Sequence, residues 1–191
     1  MQKKFVTNLA LLLFLNLLIK GFYILVIEVG VQNKVGTESF GTYFALLNFS
    51  FLLNILLDVG ITNFNNKNIA QNHHLLSKHF SKMLGLKFAL GIFYSILIFI
   101  IGFFILGFHL KSLMILCLNS FFLSFILFLR SNLQALHLFK LDSVLSVLDR
   151  TIMIIILVVM LLHLFGAQMT MEGFIYAQTA GYALTAIIAF I

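Results

Sequence analysis

Few side chains in this sequence could do chemistry, and most of those stand inside apolar runs. Lys20 is set in NLALLLFLNLLIKGFYILVIEVG, with Asn16 four residues before it and Glu28 eight after it. Asn16, Lys20 and Glu28 fall on one helical face, with Glu28 ~12 Å further along the axis than Lys20, too far to pair directly with it. A cation so deep in an apolar helix is strained if it snorkels to either surface. It either pairs with another helix or faces a water-filled cavity, where an anionic head group or a coupling ion could meet it. Glu28, nearer the outer end of the run, also reads as an interfacial carboxylate. Asn48 and Asn54 add amides in the next apolar run. Together with Asn16 and Lys20 they are the candidate substrate-cavity residues, with interhelical hydrogen bonding as the other reading.

A second set consists of Asp58, Arg130, Asp149 and Arg150, which fall near the expected cytoplasmic ends of three apolar runs. Two carboxylates and two guanidinium groups at one depth could form an ion-pair network that closes a cytoplasmic mouth in one state and opens in another. The guanidinium groups could instead bind a phosphate bidentately, or all four could be ordinary interfacial anchors. His73, His74 and His79 cluster in IAQNHHLLSKHFSK, but their spacing suits metal ligation poorly and fits a solvated or head-group-contacting amphipathic segment. Cys117 is the single cysteine and reads as a small hydrophobe. No glycine-rich phosphate loop, HExxH, GxSxG or cysteine pair is present, so neither an enzyme nor a metal cofactor is expected.

The elements that must position these groups follow from composition. Of 191 residues, 62% are hydrophobic and 9% charged, and the mean hydropathy is +1.11. Soluble domains run to roughly 45–50% apolar and about 25% charged residues, so most of this surface must face lipid. Unbroken apolar runs such as Ile92 to Phe108 lack the alternation of barrel strands and demand helices. The fold class expected is therefore an all-α polytopic membrane protein. At ~20 apolar residues per span, about six transmembrane helices result: Thr7–Gly30, Phe40–Asn63, Met83–Gly107, Leu110–Leu133, Ser143–Phe165 and one starting near Glu172.

The first apolar run, too long for a secretory signal, reads as a retained helix. Lys3 and Lys4, then Lys67, Lys78 and Lys82, then Arg130, Lys140 and Arg150 fall in alternate connections. Basic residues gather on the cytoplasmic side, so the amino terminus is expected there. The net charge of +6 is topological on this reading and implies membrane lipid, not nucleic acid, as the partner. With no proline in the chain, kinks are expected at glycines such as Gly21, Gly85, Gly91, Gly102 or Gly181. The sixth helix stops in an apolar run at Ile191 without a basic flank, and a truncated chain is the expectation.

The stretch VQNKVGTESFGTYFALLNFSFLLNILLDVGITNFNNKNIAQ, from Val31 to Gln71, resembles the first outer loop and second helix of polysaccharide-biosynthesis flippases. These are the O-antigen-type lipid-linked oligosaccharide exporters of the multidrug/oligosaccharidyl-lipid/polysaccharide (MOP) flippase superfamily. Gly36, Gly41 and Tyr43, the Asp58-Val59-Gly60 turn and Lys67 carry the resemblance, with RSNLQALHLFKLDSVLSVLDRTIMII from Arg130 to Ile155 as a second match. The resemblance implies a MATE-like two-lobe transporter of ~12–14 helices, with residues 1–191 as a single transmembrane domain forming its amino-terminal lobe. A missing carboxy-terminal lobe or a partner subunit would complete it. It further implies alternating-access export of a polyprenyl-pyrophosphate glycan across a bacterial inner membrane, coupled or not to H+ or Na+. A multidrug-type cation antiporter of the same superfamily and a non-transporting six-helix scaffold or accessory subunit are the alternatives.

Overall fold

The computed structural model describes residues 2–72, 75–166 and 168–190, and among them every regular element is helical. Helix α1 spans Gln2–Phe22 and runs through a π-helical turn, Tyr23–Glu28, into α2, Val29–Val35. Helix α3 spans Thr37–Leu52, and a 3-10 turn at Asn54–Leu57 leads to α4, Ile61–Gln71. Helix α5 spans Leu75–Phe99 and ends in a π turn, Ile100–Ile105; α6 is Leu110–Ala135, α7 Phe139–Leu161 and α8 Met171–Phe190. Five helices are long and apolar enough to cross a membrane, and the pair 37–52 and 54–71, bent by 51°, makes a sixth if it is one span.

Polarity is distributed as lipid requires. Leu17, Leu25 and Leu52 are each more than 70% exposed, while Asn65, Lys87, Asn119, Asp142, Asp149 and Gln178 are buried. Water would favour the reverse arrangement; a hydrocarbon solvent favours this one. The chain is thus an all-α, multi-pass membrane protein.

Inter-helix registers give the topology. Asn16 meets Ser146 and Gly30 meets Leu161, at separations that hardly change along the seam, so the first and fifth spans run parallel. Ser50–Ser120 and Asn65–Asn132, 70 and 67 residues apart, make the second and fourth spans parallel as well. Ser50–Tyr94 and Leu57–Lys87 converge from 44 to 30 residues apart, so the second and third spans are antiparallel. The result is an up-and-down bundle with α6 at its centre, packed on α3, α4, α5, α7 and α8.

Two departures from regular helix matter for function. In the first span, Tyr23, Ile27 and Val31 are all buried at a spacing of four. In an α-helix that spacing drifts round the axis; the wider π turn keeps the three side chains stacked on the inward face. In the second span the helix breaks at a glycine, as expected in a chain without proline, but at Gly60 and not at one of the five named above. Val59 takes φ +44° and Gly60 φ +82°, a left-handed pair that glycine adopts freely and a β-branched residue seldom does. Three of the expected kink glycines serve packing instead. A Cβ at Gly91 would lie 2.6 Å from the Phe121 ring, at Gly102 2.5 Å from Leu113, and at Gly181 2.9 Å from the Asp149 carbonyl oxygen.

Candidate functional site

The α1/α7 seam is built from two polar stripes. On the first span Asn16, Lys20 and Tyr23 recur at helical spacing, and on α7 Ser143, Ser146, Asp149 and Arg150 do the same. Parallel packing matches them level by level. Asn16 Nδ2 donates to Ser146 Oγ at 2.8 Å, and Ser146 Oγ donates to the Ser143 carbonyl at 2.7 Å. One level on, half-buried Lys20 is within electrostatic reach of Asp149, Arg130 and Arg150. The Arg150 guanidinium lies 4.6 Å from the Tyr23 ring centroid and 5.7 Å from that of Tyr182 on α8, with Nε 3.7 Å from Asp149 Oδ2. Glu28 also acts electrostatically on Arg150. Behind Tyr23, Gln178 Nε2 donates to the Tyr43 hydroxyl at 2.7 Å, tying α8 to α3.

Hydrogen-bonding capacity at this level is unspent. Asp149 Oδ1 is buried without a partner among the described residues, and Lys20 makes no hydrogen bond there. Lone buried acceptors are costly and are ordinarily met by water, an ion or a ligand. The cluster therefore offers two cations and a carboxylate with free valence to a polar guest, with aromatic rings beside the guanidinium.

The four residues expected at a cytoplasmic gate do not lie together. Helix α7 begins at Phe139, not Ser143, so Asp149 and Arg150 sit near the midpoint of its 23 residues. Nor do the four expected gate residues form one network. Arg130 Nε donates to buried Asp142 Oδ1 at 2.7 Å, and Gln134 Nε2 donates to Oδ2 of the same carboxylate at 3.0 Å, which clamps the α6–α7 connection. Asp58 belongs to a third arrangement, with a residue the sequence reading passed over.

That residue is Lys87, 2% exposed inside the third span. Its ammonium donates to Asp58 Oδ1, to the Leu57 carbonyl oxygen at 3.2 Å and to Ser124 Oγ at 3.0 Å, and lies 5.9 Å from the Phe128 ring centroid. The Leu57 carbonyl is available because of the break. The N–H of Ile61, which would serve Leu57 in a continuous helix, donates instead to the Asp58 carbonyl at 2.8 Å. The Asp58 carboxylate also accepts from the Thr62 hydroxyl and, at 3.2 Å, from the Thr62 backbone N–H, capping the first turn of α4. The signal for Lys87 was present: it is a lysine within an apolar run, the same criterion that singled out Lys20.

The remaining expectations divide. Asn48 is exposed on α3, away from the α1/α7 seam, so it does not share a stripe with Asn16. Asn54 stands at the break with Oδ1 buried and without a hydrogen-bond partner among the described residues. Cys117 is buried and its Sγ donates to Ser95 Oγ at 3.1 Å. His73 and His74 lie outside the described residues, as does the side chain of His79. Among the described residues no group of three or more His, Cys, Asp or Glu side chains could hold a metal ion. Comparison with family models, curated proteins and solved structures finds no match to this chain.

Proposed function

We propose that this chain is one lobe of an alternating-access transporter of the bacterial inner membrane that carries an anionic lipid-linked glycan, a polyprenyl-pyrophosphate oligosaccharide, to the outer leaflet. The observation that carries the reading is the mid-span cluster of Lys20, Asp149 and Arg150, in which Asp149 Oδ1 and the Lys20 ammonium have no hydrogen-bond partner among the described residues. Ionisable groups at that depth mark a polar pathway by default. A pyrophosphate offers acceptors that a guanidinium can take bidentately and an ammonium as a point charge. The resemblance of Val31–Gln71 and Arg130–Ile155 to polysaccharide flippases supports the same substrate class and a cytoplasmic amino terminus. In this mechanism no bond is made or broken: the head group enters between α1 and α7, and rocking of the lobe against a second lobe or partner exposes it to the other side. A flipping assay on the full-length protein in vesicles tests this, with Lys20→Ala and Arg150→Ala beside wild type. Flipping by both variants at the wild-type rate refutes it.

One observation favours a second reading. The buried Asp149 carboxylate with a bare oxygen is what a cation antiporter of the same superfamily would use. Drug-driven proton or sodium exchange abolished by Asp149→Asn, without glycan flipping by wild type, would select that reading.

A further inference from the structure

The break in the second span collects oxygen atoms of the kind that bind small cations. A main-chain carbonyl (Leu57), a hydroxyl (Ser124) and a carboxylate (Asp58) converge on one point from the second and fourth spans. Hard monovalent and divalent cations take such oxygen ligands. In secondary transporters the unwound carbonyls of discontinuous helices provide them. Here the point is occupied by the Lys87 ammonium, reaching in from the third span. Its three hydrogens match the three oxygen acceptors, so it engages the whole ligand shell and not the carboxylate alone. Leu57 and Phe128 close the inner side, 1% and 0% exposed, and the Asp58 side chain, 31% exposed, forms the outer one.

We infer that Lys87 is a tethered cation standing in a site shaped for a small monovalent ion such as sodium, so that the broken span is held together without a free ion. Two consequences follow. The wild-type protein does not need sodium at this place, whatever couples transport elsewhere. Removal of the side chain leaves a carboxylate, a carbonyl and a hydroxyl facing a vacated volume that free sodium can enter. This inference rests on a different site from the proposed head-group cluster, and its readout is binding, so it stands or falls separately.

The test compares thermal unfolding of the purified full-length protein in detergent in sodium chloride, potassium chloride and choline chloride at equal ionic strength. Wild type should melt at the same temperature in all three. Lys87→Ala should melt lower in choline and be restored saturably by sodium, by about 5 °C or more at a large excess over the dissociation constant. Adding Asp58→Asn to Lys87→Ala should abolish the sodium effect. Lys87→Ser, prepared in sodium throughout and then exchanged into choline, repeats the measurement with a smaller void. Three results would overturn the inference: no salt-specific difference in either lysine variant, a saturable sodium effect in wild type, or failure of both variants to fold even in sodium.

Discussion

Asp58→Ala is the most searching perturbation of this structure, because Lys87 has no other anion beside it among the described residues. The substitution leaves an ammonium that is 2% exposed with only a carbonyl and a hydroxyl. Breaking a buried pair by removing one partner costs about 3–5 kcal/mol. The Asp58 side chain is 31% exposed, so water reaches the carboxylate and the lower end, about 3 kcal/mol, applies. Loss of the cap on the Thr62 N–H adds about 1 kcal/mol. For a chain of this length each kcal/mol moves the melting temperature by about 2–4 °C, so the expected fall is roughly 8–16 °C. The assay is thermal unfolding in detergent, with membrane insertion checked independently. The double variant Asp58→Ala/Lys87→Met should recover much of the loss, since replacing both charges by apolar groups is often neutral or better. A fall of under about 2 °C for Asp58→Ala, below the shift expected for 1 kcal/mol, would refute the reasoning. So would a double variant whose loss equals the sum of the single ones.

Other expectations are simpler. Arg150→Lys should not restore transport lost in Arg150→Ala, because an ammonium replaces neither the guanidinium held 4.6 Å from the Tyr23 ring centroid nor its bidentate donors; recovery of flipping would contradict the assigned role. Gly91→Ala should lower stability by about 1–3 kcal/mol through overpacking against Phe121. Gly21→Ala, where nothing lies within 4 Å, should be neutral or stabilising by up to about 1 kcal/mol, again read by thermal unfolding. With Cys117 replaced by serine, cysteines at Lys67 and Lys140 should react with an impermeant maleimide from the cytoplasmic side, and one at Lys34 only from the other; labelling of Lys67→Cys and Lys34→Cys from one side would invalidate the orientation.

The spans were legible because apolar length and composition dictate them, and Leu110 as the start of the fourth is an exact agreement between run and helix. The Asp58-Val59-Gly60 turn was legible through the resemblance, but not as a break inside the second span, because hydropathy continues smoothly to Leu57 and the lysine that meets the freed carbonyl comes from another helix. Helix α7 was started four residues late because Phe139-Lys140-Leu141-Asp142 looks like a polar connection. Asp142 is in fact 1% exposed and turned inward by Arg130 and Gln134. That difference puts Asp149 and Arg150 near the middle of the helix and not near its start. Lys20 was recognisable from its isolation; its neighbours on α7 depended on a pairing across more than a hundred residues that no local pattern encodes.

That pairing also has a history during synthesis. Ser146 follows Asn16 by 130 residues, and ribosomes add ~5–20 residues per second. The first helix therefore waits roughly 6–26 s in the membrane before α7 can cover its polar stripe. Insertion over that interval has to be supported by the helix itself. A central lysine costs about 2.5–3.5 kcal/mol, and the eight Leu, Ile and Phe residues between Ala10 and Lys20 return roughly 2.4–4.8 kcal/mol. The leucine-rich start of the chain is thus a condition for delivering Lys20 to the middle of the bilayer ahead of its partners. Nascent chains halted before Phe139 would carry that lysine uncovered, a ready mark for membrane quality control.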